Sequence, residues 1–188
     1  MNREQWLNDM TTAHVWPLLT AHGASVPTLW RVSVGFPKGS RGGRKSIGQC
    51  WPEQSSSDAS REMFISPTLE AFAAVEVLVH EVIHCALNNK GGHRGAFKRI
   101  AVSCGLIGKM TATSAGPELA AKITEWLAAS PAYPHAAMIE NPDAKKPGSR
   151  LLKVNCEACG YTVRVTQKWV DVGLPTCCCG EQMGTVTA

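Results

Sequence analysis

Charge is scarce in this chain. Acidic and basic side chains make up 18% of the 188 residues against 44% hydrophobic ones, a balance that excludes an intrinsically disordered polymer and implies a packed core. Aromatics are scarcer still, at 6%. An unbroken apolar run is missing: the stretch from Ala71 to Leu87 is interrupted by Glu76, His80, Glu81 and His84, so no membrane span is expected. The opening residues Met1-Asn2-Arg3-Glu4-Gln5-Trp6 lack the basic-then-apolar order of a secretory signal, and the expected location is cytoplasmic. No useful internal repeat is present, and Gly42-Gly43-Arg44-Lys45 does not match a P-loop. What remains is a globular chain of net charge +4, long enough for one sizeable core or a core plus a small satellite domain. Its mild basicity permits contact with nucleic acid.

Into the apolar stretch is set Val79-His80-Glu81-Val82-Ile83-His84, an HExxH motif. On a helix, positions i and i+4 share a face, so His80 and His84 can direct imidazoles at one cation while Glu81 sits beside them. Neutral imidazole suits Zn²⁺, and a site with three protein ligands keeps a position open for water. A carboxylate at Glu81 can then accept the proton of that water as a general base. The third ligand follows from the turn. Asn88-Asn89-Lys90-Gly91-Gly92 ends the helix, because glycines supply the left-handed conformation of a C-cap. The chain then folds back with His93 at the start of a second helix through Phe97, Ile100, Ala101 and Cys104. Ser66 is the expected N-cap of the motif helix, with Pro67 in its first turn. Cys85 is expected to pack in the core.

Around this centre the periodicity predicts a first helix from about Asn2 to His22, weakened by Pro17. Strands are expected at Thr28 to Phe36, Ile47 to Pro52 and Glu62 to Ser66, forming a small antiparallel sheet. A further helix is expected over Thr113 to Ala129. Pro131, Pro134, Pro142 and Pro147 mark a linker. The expected domains are a core at 1–130, a Pro-rich linker at 131–150 and a small domain at 151–188.

The last segment holds five of the eight cysteines. Cys156-Glu157-Ala158-Cys159-Gly160 and Cys177-Cys178-Cys179-Gly180 flank an alternating stretch, the pattern of a zinc ribbon with two metal knuckles. Cys156, Cys159, Cys177 and Cys179 are the expected ligands. Replacement of Cys177 or Cys179 by Cys178 stays open. Two zinc sites are therefore expected, one catalytic and one structural.

Two basic regions are candidate nucleic-acid contacts. Lys38, Arg41, Arg44 and Lys45 lie in a Gly-rich turn, and Arg164, Lys168 and Trp169 lie in the ribbon, where cations can meet phosphates and an aromatic can stack on a base. Lys153, Arg150 and Tyr161 can add to the ribbon surface. The competing readings are a solvated hairpin tip and aromatics used in packing.

HEVIH, then GGHRGAF, then CEACG and CCCG in a separate ribbon resemble the SprT-like family of zinc metalloproteases. The likeness covers about Ser66 to Leu106 and Leu151 to Met183. It implies an α+β zincin-like core, with a small antiparallel sheet packed on helices, plus a C-terminal four-cysteine zinc ribbon. It also implies His80, His84 and His93 as ligands and Glu81 as catalytic base. Some relatives are DNA-activated proteases that degrade proteins crosslinked to DNA. One departure is Arg94 directly after the third histidine, where the family often has Gly, with Gly95 one place later.

The leading expectation is thus a zinc-dependent endopeptidase acting on proteins associated with DNA, with a protein substrate, DNA as partner, including its single-stranded form, and no membrane. The alternative is a non-catalytic nucleic-acid-binding or transcription-associated protein with a structural zincin core. A protease with a regulatory target unrelated to DNA is a third reading. Oligomeric state and the oxyanion stabiliser are left open by the sequence.

Overall fold

Residues 1–37, 46–136, 138 and 151–185 are described by the computed structural model, in which the chain divides into two compact units, Met1–Glu140 and Asn141–Ala188. Both mix helices with small sheets. The basic turn carrying Lys38, Arg41, Arg44 and Lys45 lies outside the described residues, as does Arg150.

The first unit begins with α1 (Arg3–Met10), whose N-cap Asn2 accepts the Gln5 N–H. The expected single helix to His22 is a composite. Pro17 has no N–H to offer the carbonyl one turn back, and the chain passes through a π turn at Thr11–Val15 before resuming as α2 (Trp16–Ala21). Buried Leu7, Met10, Val15 and Leu19 face the core from this continuous rod.

Strands β1 (Trp30–Val34), β2 (Gly48–Trp51) and β3 (Arg61–Ile65) form a sheet in the order β1-β3-β2. The expected antiparallel sheet is corrected here to a mixed one, since β1 and β3 run parallel while β2 and β3 are antiparallel. Asn8 Nδ2 donates to Val32 O at 2.8 Å while Asn8 Oδ1 accepts from Val32 N, and Glu4 accepts from Val34 N. One edge of β1 is thereby occupied by α1 side chains, and β3 takes the other. Met63 and Ile65 on this central strand are fully buried.

The long apolar helix is α3 (Ala71–Ala86). Ser66 does not cap it, contrary to expectation: Ser66 N bonds to Ile47 O, which commits that residue to the sheet, and the helix starts after Glu70. Its far end is tied down by Arg61, which donates to Cys85 O at 2.7 Å and Ala86 O at 3.2 Å while pairing with Glu53. Cationic hydrogen-bond donors there satisfy carbonyls that the last turn leaves unpaired. Cys85 is buried in the core.

After α4 (Ala96–Ser103) comes a hairpin, β4 (Leu106–Lys109) and β5 (Ala112–Ala115), then α5 (Pro117–Ala129). Thr113 therefore sits on a strand and not at a helix start. Gly116 and Pro117 mark the true boundary, with Pro in the first turn of α5. Residues beyond α5 pack on the same unit: Trp6 Nε1 donates to Pro131 O at 2.7 Å, Tyr133 lies against Trp6, and His135 Nε2 is 3.5 Å from Glu70 Oε1.

The second unit contains β6 (Leu151–Asn155), β7 (Thr162–Thr166), α6 (Gln167–Val172) and β8 (Gly184–Thr185), with sheet order β7-β6-β8. Its buried cluster is small, consisting of Val154, Cys156, Cys177 and Met183. No helix among the described residues is long and apolar enough to cross a membrane.

Candidate metal centres

Helix α3 carries His80 and His84 one turn apart, with ring centroids separated by 5.1 Å. The chain then reverses through Asn88, Asn89, Gly91 and Gly92, all at positive φ, where Asn and Gly are the tolerated residues. Two bonds from Asn89 hold this turn: its N–H donates to His84 O, and its side chain donates to Cys50 O on β2. His93 is thus delivered to the helix face, its Nε2 lying 3.2 Å from His80 Nε2 and 3.1 Å from His84 Nε2. Gly95, at φ 52°, precedes α4, so the glycine that follows Arg94 supplies the left-handed step there. Phe97 packs its ring against all three imidazoles, at centroid distances of 4.9, 4.4 and 5.0 Å, and forms an apolar floor.

Burial holds all three imidazoles neutral. It lowers the pKa of His80 to about 4, with His93 adding to the effect, and that of His84 to about 3, with His80 and His93 adding. His93 is also lowered by burial. A neutral imidazole has one N–H and one lone pair. The donor and acceptor roles of the three Nε2 atoms depend on the tautomers, and a cation between the rings can take all three Nε2 lone pairs at once. Two nitrogens on a tetrahedral zinc, each bound at about 2.0–2.1 Å, stand about 3.3 Å apart, close to the spacing found here. His80, His84 and His93 form a group that can hold a metal ion, and among the described residues no fourth His, Cys, Asp or Glu joins it.

Glu81 follows His80 into the interior and is 7% exposed. Burial raises its pKa to about 8, as desolvation disfavours the carboxylate. Its room depends on Gly48 of β2: a Cβ built there would stand 2.5 Å from Glu81 Oε1 and 2.5 Å from Val77 Cγ1. No side chain fits at this crossing of strand and helix.

The second group is Cys156, Cys159, Cys177 and Cys179. Cys156 Sγ is 3.4 Å from Cys179 Sγ, and Cys159 Sγ is 3.4 Å from Cys177 Sγ. Each pair ends in a glycine at positive φ whose N–H turns back to the first cysteine's carbonyl, Gly160 to Cys156 and Gly180 to Cys177. Cys178 is exposed and lies outside the group, 3.8 Å from Cys177 Sγ. Four thiolates at these separations can hold a metal ion.

The other candidate residues of this unit lie on its surface. Lys153 and Arg164 are direct cross-strand partners and both are exposed. Trp169 is 58% and Tyr161 54% exposed, and Lys168 Nζ stands 5.3 Å from the centre of the Trp169 ring. Helix α6, which carries Lys168 and Trp169, was not expected from the sequence pattern.

Tertiary structure adds residues that sequence reasoning missed. Thr113 Oγ1 lies 2.8 Å from His80 Nδ1. The sequence signal available for it was the β-branched pair Thr111 and Thr113 ahead of Gly116-Pro117, a strand-and-break pattern. Gly48 and Arg61 offered no such signal. No family model matches the chain, and no curated protein or solved structure is significantly similar to it.

Proposed function

We propose that the chain is a zinc-dependent endopeptidase with a zincin core of the SprT-like kind, in which His80, His84 and His93 hold the zinc and Glu81 is the general base. The observation that carries this reading is a group of three neutral imidazoles without a fourth donor of the same kinds among the described residues, on the helix that also carries Glu81. A structural zinc site is closed by four protein ligands, whereas a hydrolytic one keeps a position for water or substrate. Bound there, zinc supplies Lewis-acid polarisation of a scissile carbonyl and makes water a stronger acid. Glu81, next to His80 on α3, is the carboxylate that would take that water's proton and return it to the leaving amine. Phe97 keeps bulk water from the back of the imidazoles.

The proposed substrates are proteins associated with DNA, including its single-stranded form. Support comes from the exposed Trp169, Tyr161, Lys153, Arg164 and Lys168 of the second unit, with Lys168 over the Trp169 ring, a mixture suited to stacking on bases and meeting phosphates. That same surface also favours a second reading, a nucleic-acid-binding protein whose histidine site is structural. Cleavage of a DNA-binding protein, followed with and without single-stranded DNA, separates the two. The Glu81→Gln variant is expected to keep both zinc ions and lose about 10²–10⁴-fold in rate. Equal cleavage by both proteins, or none by the native chain, overturns the peptidase.

A further inference from the structure

The outer nitrogens of the clustered histidines are treated unequally. His84 Nδ1 is buried with no hydrogen-bond partner among the described residues, while His80 Nδ1 has Thr113 Oγ1 at 2.8 Å. Thr113 belongs to β5, a strand far from the HExxH motif in sequence. It is held there by a second bond, from the Ala115 N–H to Glu76 Oε1 at 2.6 Å. The two contacts share a register. Glu76 and His80 are one helical turn apart, about 6 Å along α3, and Thr113 and Ala115 are alternate residues of β5, about 6.6–6.8 Å apart. Thr113 and Ala115 are the partly buried positions of that strand, and Ala112 and Ser114 face solvent. The hairpin therefore grips the helix at two matched points, and one of them is a metal-site imidazole.

We infer that Thr113 is a positioning residue that sets the tautomer and ring orientation of His80 for metal binding. This rests on the reading of the histidine cluster as a zinc site. With the His80 Nε2 lone pair turned toward the metal, Nδ1 carries the proton and donates it to Thr113 Oγ1. Such an outer hydrogen bond fixes the ring and raises the basicity of the ligating nitrogen. Glu76, by anchoring Ala115, keeps the hydroxyl in reach. Thr113 touches neither substrate nor reacting atoms.

The test is zinc affinity, read by chelator competition on the full chain, for the native protein, Thr113→Val and Thr113→Ser. Valine keeps the shape and strand preference and removes only the hydroxyl. It is expected to weaken the histidine-site zinc by about 10–100-fold and leave the cysteine-site zinc in place, and Thr113→Ser should restore the affinity. Equal affinity in Thr113→Val, or a serine variant as weak as valine, overturns the role. A second readout needs no variant: ¹⁵N NMR of the zinc-loaded native chain should show His80 bound through Nε2 with a protonated Nδ1, and ligation through Nδ1 refutes the inference. Failure of the zinc reading itself looks different, because the native chain would then bind a single zinc, at the cysteines.

Discussion

In the first unit the three histidines sit on a core built without them, whereas in the second unit two of the four buried core residues, Cys156 and Cys177, are themselves members of the metal-binding group. The first core draws on α1, α2, the mixed sheet, α3, α4 and α5, and the imidazoles lie at its margin against Phe97. The second has only Val154 and Met183 as fully apolar buried members, with Val163, Val165 and Leu174 partly covered. Apolar burial can stabilise the first unit alone. A segment as small as the second needs a staple. On the proposed reading a metal ion would have different duties in the two units, reactivity in the first and folding in the second.

The largest effect should come from removing metal. Chelation, or Cys156→Ser, is expected to abolish the dispersed amide NMR signals of β6, β7 and β8, because a structural zinc contributes about 10–16 kcal/mol of folding free energy in small modules. Signals from α3 and the sheet of the first unit should persist. Survival of both sets would erase the contrast.

Next in size is Phe97→Ala. Replacing this fully buried ring should destabilise the first unit by about 3–5 kcal/mol in urea unfolding followed by circular dichroism, and leave the amide spectrum of the second unit unchanged. A cost under 1 kcal/mol would mean that the floor beneath the imidazoles is not part of the core.

A pH dependence sharpens the first unit's side of the comparison. In metal-stripped protein, burial keeps Glu81 protonated up to about pH 8 in the folded chain, against an ordinary carboxyl pKa of 4.5. Below 4.5 both states are protonated and the contribution to stability is intact. As pH rises from 4.5 through 8 the unfolded chain ionises first, so stability falls, by an amount on the order of 5 kcal/mol. Glu81→Gln should flatten that slope in urea titrations across the window. An unchanged slope would assign it to other groups.

The smallest effect on stability is expected for Trp169→Ala, within about 0.5 kcal/mol, since the ring is exposed. Binding to single-stranded DNA, measured by fluorescence anisotropy at fixed salt, should nonetheless weaken by about 1–3 kcal/mol. Loss of folding without loss of binding would reverse the roles given to this residue.

The portions of each site that were readable in the sequence are those set by local spacing. His80 and His84 share a face because a helix repeats every 3.6 residues, and the Asn-Gly turn that returns His93 is composed of residues that accept positive φ. The cysteine pairs are just as local, each closed by its own glycine. Contacts between distant segments were not readable. Asn8 and Glu4, from a helix, occupy one edge of β1, and β3 pairs with the other edge in parallel. Ser66 lost its capping role to a sheet bond with Ile47, and Thr113 was absorbed into a helical pattern that Gly116 and Pro117 in fact begin.

Sequence alone therefore determined which donors can meet: imidazoles one helical turn apart, a third one across a glycine turn, and thiols in two knuckles, since all of these follow from backbone geometry over a few residues. Tertiary structure decided how those donors are held. Only packing sets Phe97 beneath the three rings, clears space for Glu81 at Gly48, and brings Thr113 to the outer nitrogen of His80, because each requires segments distant in the chain to pack at van der Waals or hydrogen-bond distance, and no periodicity within one segment encodes that meeting.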